Sequence, residues 1–323
     1  MNNVDDYCPP FEDMVAWLER YKADSRKSWS AISADSGIPP GTLSGVKANN
    51  YPGNPDNIAR RLYQFKQKVE SQAARQHLVL DGPRFVETPS ARRILFLLEV
   101  AQLGRITVAA MGPGTSKSMS ADHYRSSMGG TVWLVTLRKS NGHLAGMIRE
   151  VVAAMGLMTK TSYTSQLSAH VVEHVRNKRG LIIVDEANHA DLEALEELRG
   201  WHDETGVGIM LLGNEELMLR IRGSRNRHAY ARLSSRIANY HIQDLPLESD
   251  ITTYLDAAEI VETDMRRQLI EVGLSPGSGG LRDVHMVLET ANMLAIGDDT
   301  VLTAKHIEEA IRSRATSTMR RAA

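Results

Sequence analysis

The chain has 323 residues, a formal net charge of −1, 42% hydrophobic and 24% charged residues, values that suit a globular protein with room for two or three domains. Its single cysteine, Cys8, excludes an internal disulfide and a cysteine-built zinc site. No apolar run approaches the roughly 20 residues of a membrane helix, and Met1 to Pro10 is too acidic and polar for a secretory leader, so the expectation is a cytoplasmic protein with no membrane partner.

The first predicted unit spans residues 1–71. Phe11, Val15 and Leu18 follow helical spacing, with Trp17 and Tyr21 as a second pair. Ser28 is placed to cap a helix carrying Trp29 and Ile32 inward, and Gly37 to accept the positive φ at its end. Pro39 and Pro40 suit the first turn of the next helix, with Leu43 and Val46 buried. A fourth helix follows Pro55-Asp56, with Ile58, Leu62 and Phe65 apolar. Two short helices about a glycine turn, set among others, read as a helix-turn-helix. Thr42, Ser44 and Lys47 then face outward on the recognition helix, where Lys47, Asn49 and Asn50 can reach phosphates or base edges. Residues 20–75 carry ten Lys/Arg against four Asp/Glu, which favours DNA over a protein-docking module; residues 244–310 carry four against fourteen.

Residues 72–90 lack an apolar period and contain Asp81-Gly82-Pro83 and Pro89, so they read as a linker. From 91 to 246 the pattern alternates. A helix over Arg93–Leu103 precedes strands at Ile106–Ala110, Thr131–Leu137, Gly180–Asp185 and Val207–Leu212, with helices near 143–155, 165–178 and 190–203 between them. Such alternation predicts an α/β fold with a parallel sheet covered by helices on both faces. Residues 247–323 read as purely helical, a lid of four helices near 249–258, 262–272, 280–295 and 304–314.

Five motifs follow one another in this part. Gly112-Pro113-Gly114-Thr115-Ser116-Lys117-Ser118 is a phosphate loop: backbone N–H groups for the phosphates, Lys117 for their charge, and the Ser118 hydroxyl for Mg²⁺. Relative to G-x-x-x-x-G-K-[ST], Met111 and Ser116 replace glycines, and Ser116 is strained if its φ is positive. The apolar strand Leu181–Val184 delivers Asp185 to the metal and Glu186 to an attacking water, at the strand end where such sheets bind ligands. Asn214, ending the next strand, can orient that water. Arg232 and Arg236 share a helical face, and one of them can reach a neighbouring subunit's site as an arginine finger. Arg282 opens a lid helix after Ser278-Gly279-Gly280 and can sense the γ-phosphate. The series matches an AAA+ ATPase using ATP and Mg²⁺. One rival pattern, His170-Val171-Val172-Glu173-His174, fits the H-x-x-E-H of zinc peptidases. It would need a third ligand, and ordinary packing of that helix is the simpler reading.

With these residues placed, the chain resembles the phage Mu-type B transposition proteins over nearly its whole length. The resemblance rests on the N-terminal helix-turn-helix, Pro83-Arg84-Phe85-Val86-Glu87-Thr88, Ile183-Val184-Asp185-Glu186-Ala187, Leu195-Glu196-Glu197-Leu198-Arg199, Gly213-Asn214, Ala231 to Ala238, and Gly280-Leu281-Arg282. It implies an AAA+ ATPase that forms helical filaments on duplex DNA of any sequence within a bacterial host cell, presents that DNA to a transposase, and stimulates strand transfer. It also implies that Arg84 and Thr88 lie near the adenine, and that Arg138, Lys139 and Lys160, with Arg220, Arg222, Arg225 and Arg227, meet DNA. The family's phosphate loop has both glycines, so Met111 and Ser116 bear on hydrolysis more than on binding. Two other readings share parts of this pattern: a helicase loader or replication initiator, and a nucleotide-gated transcriptional regulator.

Overall fold

The computed structural model describes residues 9–25, 27–47, 51–78, 85–223 and 228–314. The chain divides into two compact units, Met1–Leu80 and Asp81–Ala323. Among the described residues, no helix is long and apolar enough to cross a membrane.

The first unit holds α1 (Phe11–Ser25), α2 (Trp29–Ser36), α3 (Pro40–Lys47) and α4 (Pro55–Leu78). The Ser28 hydroxyl accepts from Ala31 N at 3.2 Å, and Gly37 closes α2 at φ 67°, the two ends that the sequence marks. Met14, Leu18, Ile32, Ile38, Leu43, Val46, Ile58, Leu62 and Phe65 form one core. Trp17 stacks on Tyr21 at 5.4 Å, and both meet Phe65 edge-on. Helix α4 continues to Leu78, so the stretch 72–78 that reads as linker is helical: its polar composition removes the apolar period without removing helix propensity.

The second unit is built on a five-stranded sheet in the order β2-β3-β4-β1-β5, every pairing parallel. Its strands are β1 (Ile106–Met111), β2 (Val132–Thr136), β3 (Leu181–Asp185), β4 (Gly208–Gly213) and β5 (Ile237–Gln243). Every residue of β1, β3 and β4 is buried, because helices cover both faces. On one side lie α7 (Leu144–Ala154), α8 (Thr164–Val175) and α9 (Leu192–Thr205), and on the other α5 (Pro89–Gln102) and α6 (Lys117–Met128). Strand β5 escapes the sequence pattern. It lies at the sheet edge with residues alternately half-buried and exposed, and its Asn239, His241 and Gln243 break any apolar run. Helices α10 (Glu215–Arg222) and α11 (Ala231–Arg236) lie between β4 and β5.

The lid comprises α12 (Glu248–Ala257), α13 (Thr263–Leu274), α14 (Leu281–Gly297) and α15 (Ala304–Arg314) around its own core, including Ile251, Leu255, Leu269, Val284, Leu288 and Ile307. What seats it on the sheet is a buried carboxylate. Asp250, in the first turn of α12, accepts from Ser90 N at 2.7 Å, from the Ser90 hydroxyl at 2.5 Å and from Leu247 N at 2.7 Å. Gln243, the last residue of β5, joins through Ser90 at 2.8 Å. Three donors converge on a carboxylate with 0% exposure, so its burial is compensated. Asp250→Asn would turn an NH₂ group toward donors and is expected to cost about 2–4 kcal/mol of unfolding free energy, read from urea denaturation; a loss below about 0.5 kcal/mol, the level of an ordinary surface change, would show that the network is not holding the lid.

Candidate functional site

The expected phosphate loop connects β1 to α6, the arrangement that aims backbone N–H groups at an anion. It is gripped from two sides by backbone. Gly112 N donates to Gln243 O at 2.8 Å, and a Cβ on Gly112 would strike the carbonyl of Asp244. Gly114, at φ 65°, lies against Gly279 and Gly280, where a Cβ would strike the Gly279 carbonyl, and its own carbonyl accepts from Leu281 N at 3.1 Å. These contacts hold the N-terminus of α14, and with it Arg282, over the loop.

The two departures from the usual glycine pattern separate here. Met111 ends β1, fully buried, without a positive φ, so a side chain at that position strains nothing. Ser116 stands at φ 65°, ψ 16° before α6, with no capping hydrogen bond from its hydroxyl. It therefore adopts the left-handed geometry that glycine would supply more cheaply.

Around a cavity of about 420 Å³ the structure brings together the loop from Pro113 to Ser118, Glu186, Thr88, Arg282 and several unforeseen residues. The Ser118 hydroxyl donates to Asp185 Oδ2 at 2.6 Å, so the two oxygen ligands expected for Mg²⁺ are already adjacent. Asp185 is 4% exposed at the end of β3. Glu186 follows at φ 54° and lines the cavity, its N–H donating to Asp185 Oδ1 at 2.9 Å. Lys117 Nζ donates to the carbonyls of Met111 at 2.5 Å and Gly112 at 2.7 Å. Burial pushes the Lys117 ammonium below its usual range; Glu186 and Asp185 oppose that, while the nearby Arg282 cation adds to it. Two cations facing one cavity beside two carboxylates fit a polyphosphate with a divalent metal, since an anion between Lys117 and Arg282 relieves their repulsion.

At the other end, the Phe85 ring stacks on His123 at 4.1 Å and 11° and lines the cavity with Val86, an apolar wall suited to a nucleobase. Thr88 lines it too while capping α5, its hydroxyl accepting from Ala91 N at 3.2 Å. Tyr254 and His285 close the lid side. The Tyr254 hydroxyl lies 2.7 Å from His285 Nδ1, and burial with nearby Glu289 pushes its pKa up to about 12. In the sequence His285 reads as an ordinary polar or packed residue, and Tyr254 is not singled out. His285 carried a usable signal, three residues beyond Arg282 on the same helical face; Tyr254 carried none. Arg84 lies outside the described residues.

Other expected residues lie apart from this cavity. Asn214 is exposed where β4 ends and makes no capping hydrogen bond. Arg232 and Arg236 are exposed on α11, but Arg236 Nε donates to Asp203 Oδ1 at 2.8 Å, a bond that holds the Asp203 carboxyl below the usual range. Thr42, half-buried, and exposed Ser44 and Lys47 lie on α3, with the Lys47 ammonium 5.7 Å from the Trp29 ring. Arg138 and Lys139, after β2, and Lys160 are exposed. Arg222 is exposed and stacks at 4.0 Å on Tyr240. Arg220 departs from the expectation of a DNA contact: its guanidinium is turned inward onto the carbonyls of Asn188 and Ala190. Asn49, Asn50, Arg225 and Arg227 lie outside the described residues. His170 and His174 share a face of α8, but His174 packs edge-on against Trp133, and its burial there, with Lys178 at 3.3 Å adding to it, depresses its basicity.

Comparison with known proteins agrees with this geometry. Residues 102–221 match the family model of the AAA domain, and residues 235–313 that of the Mu B transposition protein, C terminal. The Mu-like prophage FluMu DNA transposition protein B of Haemophilus influenzae is 30% identical over 271 residues, covering 83% of this chain and 93% of that protein. The ATP-dependent target DNA activator B of Escherichia phage Mu is 27% identical over 301 residues, covering 93% and 94%. Among solved structures, Cdc6p from Pyrobaculum aerophilum superposes with a TM-score of 0.55 at 14% identity, over 73% of this chain and 70% of that one. A chain of Drosophila ORC bound to DNA gives 0.50 at 13% identity, over 76% and 66%. At that identity the likeness is one of fold, and the fold is the AAA-type parallel sheet with helical N- and C-terminal parts.

Ser116 generates a direct test. Ser116→Gly removes a side chain from a left-handed position without touching Lys117 or Ser118. Because catalysis depends on small distances more than binding does, nucleotide turnover is expected to rise about three-fold, with the Kd for nucleotide changing by less than about two-fold. Steady-state kinetics and equilibrium binding on both proteins decide it; a large gain in affinity with unchanged turnover would mean the loop limits binding instead.

Proposed function

Because the chain belongs to the Mu B transposition protein family, we propose that it is an ATP-hydrolysing switch that assembles as a helical filament on duplex DNA of any sequence and presents that DNA to a transposase, stimulating strand transfer. The observation that carries the nucleotide part is the convergence of Lys117, Ser118, Glu186 and Arg282 on one cavity, with Asp185 hydrogen-bonded to Ser118 beside it. The DNA part is supported by the relatives' names, target DNA activator and DNA transposition protein, and by exposed basic residues on both units. We assign DNA contacts to Lys47, with Thr42 and Ser44, in the first unit and to Arg138, Lys139, Lys160 and Arg222 in the second. Work on DNA in a bacterial cell places the protein in the cytoplasm.

In this reading Phe85, Val86 and Thr88 enclose the adenosine end of ATP. The phosphates lie along the loop, with Lys117 against the β and γ groups and Arg282 above them. Bound Mg²⁺, held by Ser118 and Asp185, supplies charge neutralisation at the phosphates. Glu186 takes the proton of the attacking water, and Asn214 turns toward that water on closure. The transition state gains charge on the γ-phosphoryl oxygens that the chain's own cavity does not fully balance, so a second subunit completes it. We assign that role to Arg232. It is exposed and has no ion pair among the described residues, whereas Arg236 is held by Asp203.

Electron microscopy with random-sequence duplex tests the assembly. Filaments are expected with ATP and not with ADP, and Glu186→Gln, which keeps size and polarity but loses the base, is expected to give filaments that persist. Equal assembly with ADP, or discrete complexes at one preferred sequence, would overturn the reading. The two arginines are separated by turnover: Arg232→Ala is expected to bind ATP normally and to lose about 10³-fold in DNA-stimulated hydrolysis, while Arg236→Ala keeps most of it. The reverse ranking would move the finger to Arg236.

A further inference from the structure

Arg220 sits at a junction. It lies near the end of α10, the helix that begins just after Asn214. Its guanidinium donates to Asn188 O at 2.7 Å, to Ala190 O at 2.7 Å and to the Tyr230 hydroxyl at 2.9 Å. It also stands 5.8 Å from the centroid of the Tyr230 ring. The two carbonyls belong to the 3-10 turn Ala187–His189 and to Ala190, the residue that ends it, and this turn begins directly after Glu186. Tyr230, 6% exposed, is the residue from which α11 starts, the helix that carries Arg232 and Arg236. One planar cation therefore ties the segment bearing the carboxylate to the helix bearing the arginines.

The turn it holds is not self-sufficient. Glu186 is in the left-handed region at φ 54°, and Asn188 Oδ1 in the same turn is buried without a hydrogen-bond partner among the described residues. A backbone in such a state keeps its geometry only when its surroundings over-determine it, and the two hydrogen bonds from Arg220 to its carbonyls add to those within the turn. A guanidinium suits the task better than an ammonium, because its fixed fork serves two carbonyls and a hydroxyl in one plane.

We infer that Arg220 is a positioning residue that couples the two halves of a composite site, fixing the turn of Glu186 for the chain's own nucleotide and the pose of α11 for its neighbour's. The inference rests on the ATPase reading above. Loss of the fork then degrades turnover while leaving nucleotide and DNA binding in place, since Arg220 is not among the residues that line the cavity.

The test uses the full chain as wild type, Arg220→Lys, Tyr230→Phe and the double variant. Three quantities are measured on each: ATP turnover with random duplex, the Kd for a fluorescent non-hydrolysable ATP analogue, and the Kd for that duplex across a salt series. Arg220→Lys is expected to lower kcat by about ten-fold or more, with KM and both Kd values within about two-fold. Tyr230→Phe, which removes one acceptor oxygen, is expected to lower kcat by about three-fold, and the double variant to be no worse than Arg220→Lys, because both act through one link. Unchanged kcat in either folded single variant overturns the coupling, and Tyr230→Phe keeps that test open if Arg220→Lys is poorly folded. Full kcat with weakened duplex binding and a salt slope reduced by about 1 would return Arg220 to DNA. A wild type without DNA-stimulated turnover would instead remove the ATPase reading itself.

Discussion

The second unit turns on the double backbone grip around the phosphate loop. Gly112 is pressed against the chain leaving β5, and Gly114 against the turn that opens α14. Neither contact leaves room for a side chain, so the sheet edge, the loop and the lid meet at glycine positions. Arg282 stands over the loop because Gly280 and Leu281 are locked to Gly114. The buried Asp250 reinforces the same join from the far side, linking α12 to the start of α5 and, through Ser90, to the end of β5.

That grip explains how the chain accommodates a loop with two of its glycines replaced, one of them at a left-handed position. Lys117 is oriented by the Met111 and Gly112 carbonyls and Ser118 by Asp185. Both are set by β1, β3 and α6 rather than by the conformational freedom of residue 116. Ser116 leaves those two side chains in place and bears instead on the path of the loop backbone, so geometry rather than charge is what it perturbs. Glu186 is the other non-glycine residue lining the cavity with a left-handed backbone, so both strained positions lie by the charged end of the site.

Most of this was legible in the sequence where hydrophobic pattern and position coincide. Leu181–Val184 is apolar throughout because β3 is buried on both faces, and Asp185-Glu186 at its end therefore read as a site. The lid helices were legible for the same reason, their apolar residues recurring at helical spacing. Strand β5 was not, since an edge strand alternates and carries polar Asn239, His241 and Gln243. The candidate site was legible in its charged members and not in its walls: Tyr254 and His285 enter through the fold of the lid. Arg220 shows the same limit from the other direction. Its partners are two main-chain carbonyls and a hydroxyl, and a carbonyl leaves no mark in a sequence, so a satisfied arginine and a free one look alike there.

The strand order has a consequence for how the protein is made. β1 is completed only by β4 and β5, and the loop that follows it is closed only when Gly279 and Gly280 have been synthesised. A ribosome therefore carries a chain whose anion-binding loop is encoded early and assembled late, after most of the length has emerged. Until β4 and β5 emerge, β1 lacks both of its partners while β3 can already pair with β2, and pairing over such long separations is slow and open to aggregation. The helical first unit, with its local contacts and separate core, is free of that delay and can be compact while the sheet is still waiting for its last strand.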